Sequence, residues 1–193
     1  MTVKYFQYKQ LLDIICLENQ HKEEEMGFVK NLLGKIKKRK DGKIEEAEIE
    51  KETNFNEKLI EDFKHDHTEL LGFFSQIEES FNTDRNAHKK ITDLLNDFKV
   101  ALEIHVMVED NKLYTFLQNK YGTDETHQAF VEDIQSEMTN ITKEAIFFNR
   151  KYTNRQSYDN NADNFLKELG NIHDLLAKRF KMEESRLYSL YAN

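Results

Sequence analysis

His105 and Glu109 are four residues apart in a stretch that has the apolar spacing of a helix. On an α-helix this spacing stacks both side chains on one face, one turn apart. The same face carries apolar residues, namely Phe98, Leu102, Leu113 and Phe116. A histidine and a carboxylate that point into an apolar core are costly unless they are paired or bind a metal. The question is therefore whether other helices supply matching ligands.

Three other segments also place polar side chains on an apolar stripe. They are His67 in a predicted helix over residues 57–80, His127 in one over 124–152, and Glu183 with Arg179 in one over 162–190. Imidazole nitrogens and carboxylate oxygens suit iron, manganese or zinc, and di-iron carboxylate sites are built in the cores of helix bundles. Singly, each histidine would be read as a core residue, but together with the glutamates they favour a metal site.

The elements that must position these residues are long helices. The chain of 193 residues contains no Pro and only 6 Gly, which favours uninterrupted helices. Apolar periodicity predicts helices over about 5–38, 57–80, 84–120, 124–152 and 162–190, with polar breaks at 41–56 and 153–161. Four consecutive amphipathic helices with short connections predict an all-α, antiparallel up-down four-helix bundle over 57–193. Residues 1–56 would add an N-terminal accessory helix and a polar linker.

Composition excludes several classes of function. The net charge of −8 argues against a nucleic-acid partner, which usually requires a basic face. The first twenty residues contain no apolar run that would suit a signal peptide or a membrane span. Cys16 is the single cysteine, so no internal disulfide framework exists and a cytoplasmic location is expected. No nucleophile with an adjacent base and no Gly-rich phosphate loop supports hydrolase or nucleotide chemistry.

Four short motifs follow one another in order along the last two thirds of the chain. They are Asp66-His67, then His105-x-x-x-Glu109 followed by Leu113-Tyr114, then Thr126-His127, then Glu183 followed by Leu187-Tyr188. In these motifs, residues 57–191 resemble the hemerythrin-like (HHE cation-binding) domain family. The resemblance implies a four-helix bundle around a non-haem di-iron centre, in which two histidines serve each iron and both glutamates bridge. Carried over by position, His67 and His105 would hold the first iron, and His127 would share the second.

Arg179 stands where the resemblance leads us to expect the fourth histidine. Because arginine does not deprotonate in proteins, its charge should oppose a second dication at that position. In one hypothesis a single metal is bound by His67, His105 and Glu109, with Glu183 and His127 as further candidates, and the guanidinium replaces the second metal. In another, two metals bind and Arg179 turns aside. In a third, the bundle is metal-free and Arg179 pairs with Glu109 or Glu183.

Three further residues lie in or directly beside the ligand motifs. Tyr114 and Tyr188 follow the two motif glutamates at the same offset and could donate hydrogen bonds to bridging carboxylates. The interpretation that we favour is interhelical packing, with each hydroxyl at the surface. Glu184 lies about 100° from the inward stripe of an ideal helix, and is therefore predicted to face away from the site.

The resemblance implies binding of dioxygen or nitric oxide, iron sensing, or iron–sulfur cluster repair under stress, with iron as the cofactor. The alternative function is a metal-free bundle that acts as a regulatory or protein-interaction module, with residues 1–56 as the surface for a protein partner. A weaker third hypothesis is a small metalloenzyme that uses iron and peroxide. Neither a membrane nor a nucleic acid is expected as a partner.

Overall fold

The computed structural model describes residues 56–192, and the regular secondary structure of this part of the chain is all helical. Its helices are α1 (Glu57–Thr83), α2 (His88–Glu109), α3 (Thr115–Tyr121), α4 (Glu125–Thr153), α5 (Arg155–Asn161), α6 (Phe165–Met182) and α7 (Tyr188–Ala192). A first π-helical turn, Asp110–Tyr114, joins α2 to α3, and a second, Glu183–Leu187, joins α6 to α7. The predicted accessory helix over 5–38 and its linker lie outside the described residues.

Four long helical rods form the predicted four-helix bundle. They are α1, α2 with α3, α4, and α6 with α7, and the helices α1, α2, α4 and α6 pack in that cyclic order, with α6 closing against α1. The core is filled by aliphatic and aromatic side chains that have lost essentially all contact with water, such as Ile77, Ile91, Leu95, Leu176 and Leu187. Burying each such side chain contributes about 1.5–3 kcal/mol. Within residues 56–192, no helix has the combination of length and apolar character that a membrane span requires.

The segment 153–161 differs from its prediction as a polar break, because residues 155–161 form the short helix α5. The Asn154 side chain caps this helix by accepting a hydrogen bond of 2.9 Å from the backbone N–H of Ser157. Tyr158 anchors the helix, since its ring is 2% exposed and its hydroxyl donates a 2.7 Å hydrogen bond to the Arg85 carbonyl. A single buried aromatic among polar residues gives no periodic signal, so the prediction was wrong.

Both π-helical turns begin at a motif glutamate or directly after it. The first follows Glu109, and the second starts at Glu183 itself. A π-helical turn contains more residues than an α-helical turn, and such turns are frequently found at functional sites. The predicted uninterrupted helices 84–120 and 162–190 therefore each contain a change of register at the residues with metal-ligand chemistry.

We expect Tyr158→Ala to lower the free energy of unfolding by about 3–5 kcal/mol, the usual cost of deleting a buried aromatic side chain. Tyr158→Phe removes only the hydrogen bond to Arg85 and should cost about 0.5–1.5 kcal/mol. Denaturant unfolding followed by circular dichroism measures both, with the exposed Gln156→Ala as the control from the same helix. Equal effects of Tyr158→Ala and Gln156→Ala would show that α5 is not held through Tyr158.

Candidate metal centre

Three potential ligands converge in the core of the bundle. They are His67 of α1, His105 of α2 and Glu183 of the second π-helical turn, and one donor atom of each lies within 4.8 Å of the others. His67 Nε2 is 3.3 Å from Glu183 Oε2, and the two imidazole centroids are 5.0 Å apart. All three side chains are buried. Histidines far apart in the sequence thus meet a carboxylate at distances that a single cation can span.

A carboxylate lies behind each of the two imidazole rings. Glu184 Oε1 is 2.7 Å from His67 Nδ1, and Asp66 Oδ2 is 3.4 Å from His105 Nδ1. These contacts favour the proton on Nδ1 and leave the lone pair on Nε2. Metal-binding histidines in proteins almost always have their second ring nitrogen held in this way.

Several donor atoms at the centre have no hydrogen-bond partner within residues 56–192. Both carboxylate oxygens of Glu109 and Nε2 of His105 are fully buried and unpaired. Burial raises the pKa of the Glu109 carboxyl well above its usual range, the charge of Glu183 raises it further, and Arg179 opposes the rise. Unpaired buried groups of this kind are costly, and a bound cation would satisfy them. The nitrogen and oxygen donor set therefore fits a transition-metal ion.

Arg179 is buried beside these groups at 2% exposure. Its Nη2 is 2.7 Å from Glu183 Oε1 and donates a 2.6 Å hydrogen bond to the Tyr114 hydroxyl. Burial lowers the pKa of Arg179, but Glu183 and Tyr114 raise it by more, so the pKa of Arg179 lies above its usual value. The guanidinium is consequently a permanent cation inside the bundle, paired with one of the two motif glutamates.

The two tyrosines of the motifs point inward, contrary to the interpretation favoured from the sequence. Tyr114 and Tyr188 are 1% and 3% exposed, and the Tyr188 hydroxyl is 3.2 Å from His67 Nε2. Burial and then the charge of Glu109 raise the pKa of both phenols far above the usual range. Both hydroxyls therefore keep their protons and serve as hydrogen-bonding groups in the centre.

The comparison with protein families agrees with this geometry. The profile described as "Hemerythrin HHE cation binding domain" matches residues 58–191. The chain belongs to this family. No curated protein and no solved structure gives a significant match to it.

His127 is a motif residue that the fold of this HHE domain places away from the cluster. It lies in the first turn of α4, with a 39% exposed side chain, its Nδ1 2.7 Å from Asp124 Oδ2 and its ring stacked on Tyr121. Glu137 lies on the same helix, and its carboxylate is 3.9 Å from Arg179, so the centre is at the level of Glu137. Glu137 follows His127 by ten residues, which corresponds to about 15 Å along the helix axis. Near that level, α4 turns apolar side chains to the core, namely Ile134, Met138 and Ile141. The structure therefore does not place His127 among the ligands, contrary to the prediction from the sequence.

Two carboxylates of the HHE domain were not recognised as parts of the site. In the sequence Asp66 is the acidic residue of the first motif, and its position next to His67 is the signal that could identify it. Glu184 was predicted to face away, but the π-helical turn that starts at Glu183 changes the local register. As a result, the adjacent residues Glu183 and Glu184 contact the same imidazole, one at each nitrogen.

We expect Asp66→Ala and Glu184→Ala each to weaken Fe²⁺ binding by about 10–100-fold, the usual effect of removing a carboxylate that holds a metal-binding histidine. Competition with a chromophoric chelator under anaerobic conditions measures the affinity. His127→Ala is the matched control, because it removes a motif histidine that does not face the cluster, and its affinity should equal that of the wild type. A loss in His127→Ala as large as that in Asp66→Ala would contradict this placement.

Proposed function

We propose that this HHE domain binds one non-haem iron ion through His67, His105, Glu109 and Glu183. The observation that carries the proposal is the buried, charged Arg179, which forms an ion pair with Glu183 beside the unpaired Glu109. The centre thus contains the donors for one metal ion and a side-chain cation where the family pattern would lead us to expect a second.

The charges of the innermost groups favour one dication over two. A bound metal ion requires its carboxylate ligands to be ionised, and two ionised glutamates with one guanidinium leave a single net negative charge when the histidines are neutral. One dication changes this sum to +1, whereas two would change it to +3 in a buried environment where charges interact strongly. The number of available ligands also favours one ion. Arg179 replaces one of the two histidines that would hold a second ion, and His127, the other, lies away from the centre.

The side chains of the domain have distinct roles in this proposal. His67 and His105 present Nε2 to the ion, while Glu184 and Asp66 hold their rings. Arg179 neutralises Glu183, and Tyr114 accepts a hydrogen bond from the guanidinium. Phe180 stacks on the His67 ring at 3.9 Å and Phe63 meets His105 edge-on at 5.6 Å, so apolar rings cover the imidazoles.

A small gaseous ligand is the proposed partner of the bound iron. Iron held by four side chains supplies a redox-active centre with room for a further ligand, as dioxygen and nitric oxide require. A single ion does not suit reversible dioxygen carriage, in which two irons share the redox change. We therefore propose sensing of nitric oxide or dioxygen in the cytoplasm, with iron–sulfur cluster repair under stress as the related cellular role.

A metal-free regulatory bundle is the second candidate function. The observation in its favour is that Arg179 satisfies one motif glutamate without any metal, through the 2.7 Å contact with Glu183. It leaves Glu109 with two unpaired buried oxygens, which a bound ion would satisfy. The regulatory surface of this candidate would be residues 1–56, which lie almost wholly outside the described part of the chain.

We expect one iron per chain after anaerobic loading with Fe²⁺ and desalting, measured by native mass spectrometry. Arg179→His should raise this number above one, because it removes the buried cation and restores a neutral ligand. Arg179→Lys is the control that keeps a positive charge, and it should remain at one or below. Two irons in the wild type would overturn the role given to Arg179, and none in a folded protein would favour the regulatory bundle.

We also expect nitric oxide to bind the ferrous protein at one molecule per iron. Titration followed by electron paramagnetic resonance measures this stoichiometry. His105→Ala should abolish the signal because it removes a buried ligand, whereas His127→Ala should keep it. A wild-type spectrum equal to that of His105→Ala would rule out gas binding at this centre.

A further inference from the structure

A pocket of about 460 Å³ opens between α1 and α6 on the outer side of His67. Its wall includes His67 and Glu184, while His105, Glu109 and Glu183 do not line it. The pocket is thus next to the metal centre but separated from it by the His67 ring. Its volume falls within the range of small-molecule binding sites in proteins.

The charges that line the pocket are unbalanced in favour of positive charge. Lys64 of α1 and Lys181 of α6 stand on its two sides, and neither forms an ion pair with a carboxylate of residues 56–192. The one carboxylate in the lining, Glu184, is already engaged by His67 Nδ1 at 2.7 Å. Two ammonium groups beside one engaged carboxylate attract an anion, although the whole chain carries a net charge of −8.

The remaining lining is apolar with two hydroxyls at its edge. Leu71, Ala177 and Phe180 provide the apolar surface. The hydroxyls of Thr68 and Ser185, two residues of the lining, donate to helix carbonyls at 3.1 and 3.3 Å, and their oxygens can still accept a hydrogen bond. Sites for small molecules typically combine such an apolar surface with a few polar groups that fix the orientation of the ligand.

We propose that this pocket binds a small organic anion. Lys64 and Lys181 pair with its carboxylate or phosphate head, and its apolar body packs on Leu71, Ala177 and Phe180. The site does not depend on the bound metal, because its lining is complete in the protein alone.

Titration of hexanoate into the metal-free full-length protein, followed by the backbone amide NMR shifts of Thr68, Ala177 and Ser185, tests the proposal. We expect saturable shifts, and much weaker ones with 1-hexanol, which has the same apolar body without the charge. Hexyl phosphate is the second probe, and its affinity relative to hexanoate identifies the preferred head group. The absence of saturable shifts with both anions would overturn the proposal.

Two variants localise the binding. Lys64→Ala with Lys181→Ala should weaken hexanoate binding roughly 2- to 30-fold, the combined effect of two exposed ion pairs. The matched control is Lys143→Ala with Lys167→Ala, which removes two exposed lysines outside the pocket and should change nothing. Ala177→Leu keeps every charge but fills the pocket, and it should also weaken binding. Equal affinities of the two double variants would contradict the role of the lysines.

The same titration on iron-loaded protein separates this site from the metal centre. Binding to both the metal-free and the loaded forms is expected. Binding only to the loaded form would show that the anion is a metal ligand, and the pocket would then carry no site of its own. A protein that binds hexanoate but no iron would refute the proposed metal function and leave the anion site intact.

Discussion

The ion pair between Arg179 and Glu183 determines what the centre of this bundle can hold. Its 2.7 Å contact lies in the fully buried core, where two isolated charges would each be strongly disfavoured. The pair neutralises one of the two motif glutamates, and the same guanidinium nitrogen, Nη2, also donates a hydrogen bond to the Tyr114 hydroxyl. Glu109 is left as the carboxylate without a partner, beside an imidazole whose Nε2 is also unpaired. The arrangement therefore supports the proposal that one cation binds beside Glu109 and His105, with Arg179 in the place of a second.

The two π-helical turns bring the acidic side chains to their positions. Each occurs where a motif glutamate leaves the regular helix. The first turn ends with the buried pair Leu113-Tyr114, and the second ends with Leu187, which the buried Tyr188 follows. At the second turn the change of register allows Glu183 to face the cluster while Glu184 reaches the outer nitrogen of His67. A regular α-helix would direct these neighbouring side chains about 100° apart. The orientation of His67 thus depends on a local departure from helical geometry.

Sequence periodicity predicted the bundle, and it placed His67, His105, Glu109 and Glu183 on inward faces because burial and helical spacing are linked. It failed for His127, since periodicity gives the face of a helix but not the height at which that face meets its neighbours. It failed for Glu184 because it assumes 3.6 residues per turn, which a π-helical turn does not keep. The prediction that the hydroxyls of Tyr114 and Tyr188 lie at the surface was also wrong. Their hydrogen-bond partners, Arg179 and His67, come from distant segments of the chain, which helical periodicity does not reveal.

The half of the centre that contains His67 and His105 differs from the half that contains Arg179. The two halves differ in their potential ligands and in the side chains that hold those ligands in place. His67 and His105 each have a carboxylate behind Nδ1, so their Nε2 atoms are fixed before any ion arrives. The half that contains Arg179 has apolar residues of α4 near it and the distant, partly exposed Glu137 as a further contact. A metal ion in that half would have to displace a paired guanidinium and would find no imidazole in its place. An ion in the half with the histidines would meet the unpaired Nε2 of His105 and the unpaired oxygens of Glu109, and this difference supports the proposed single-ion centre.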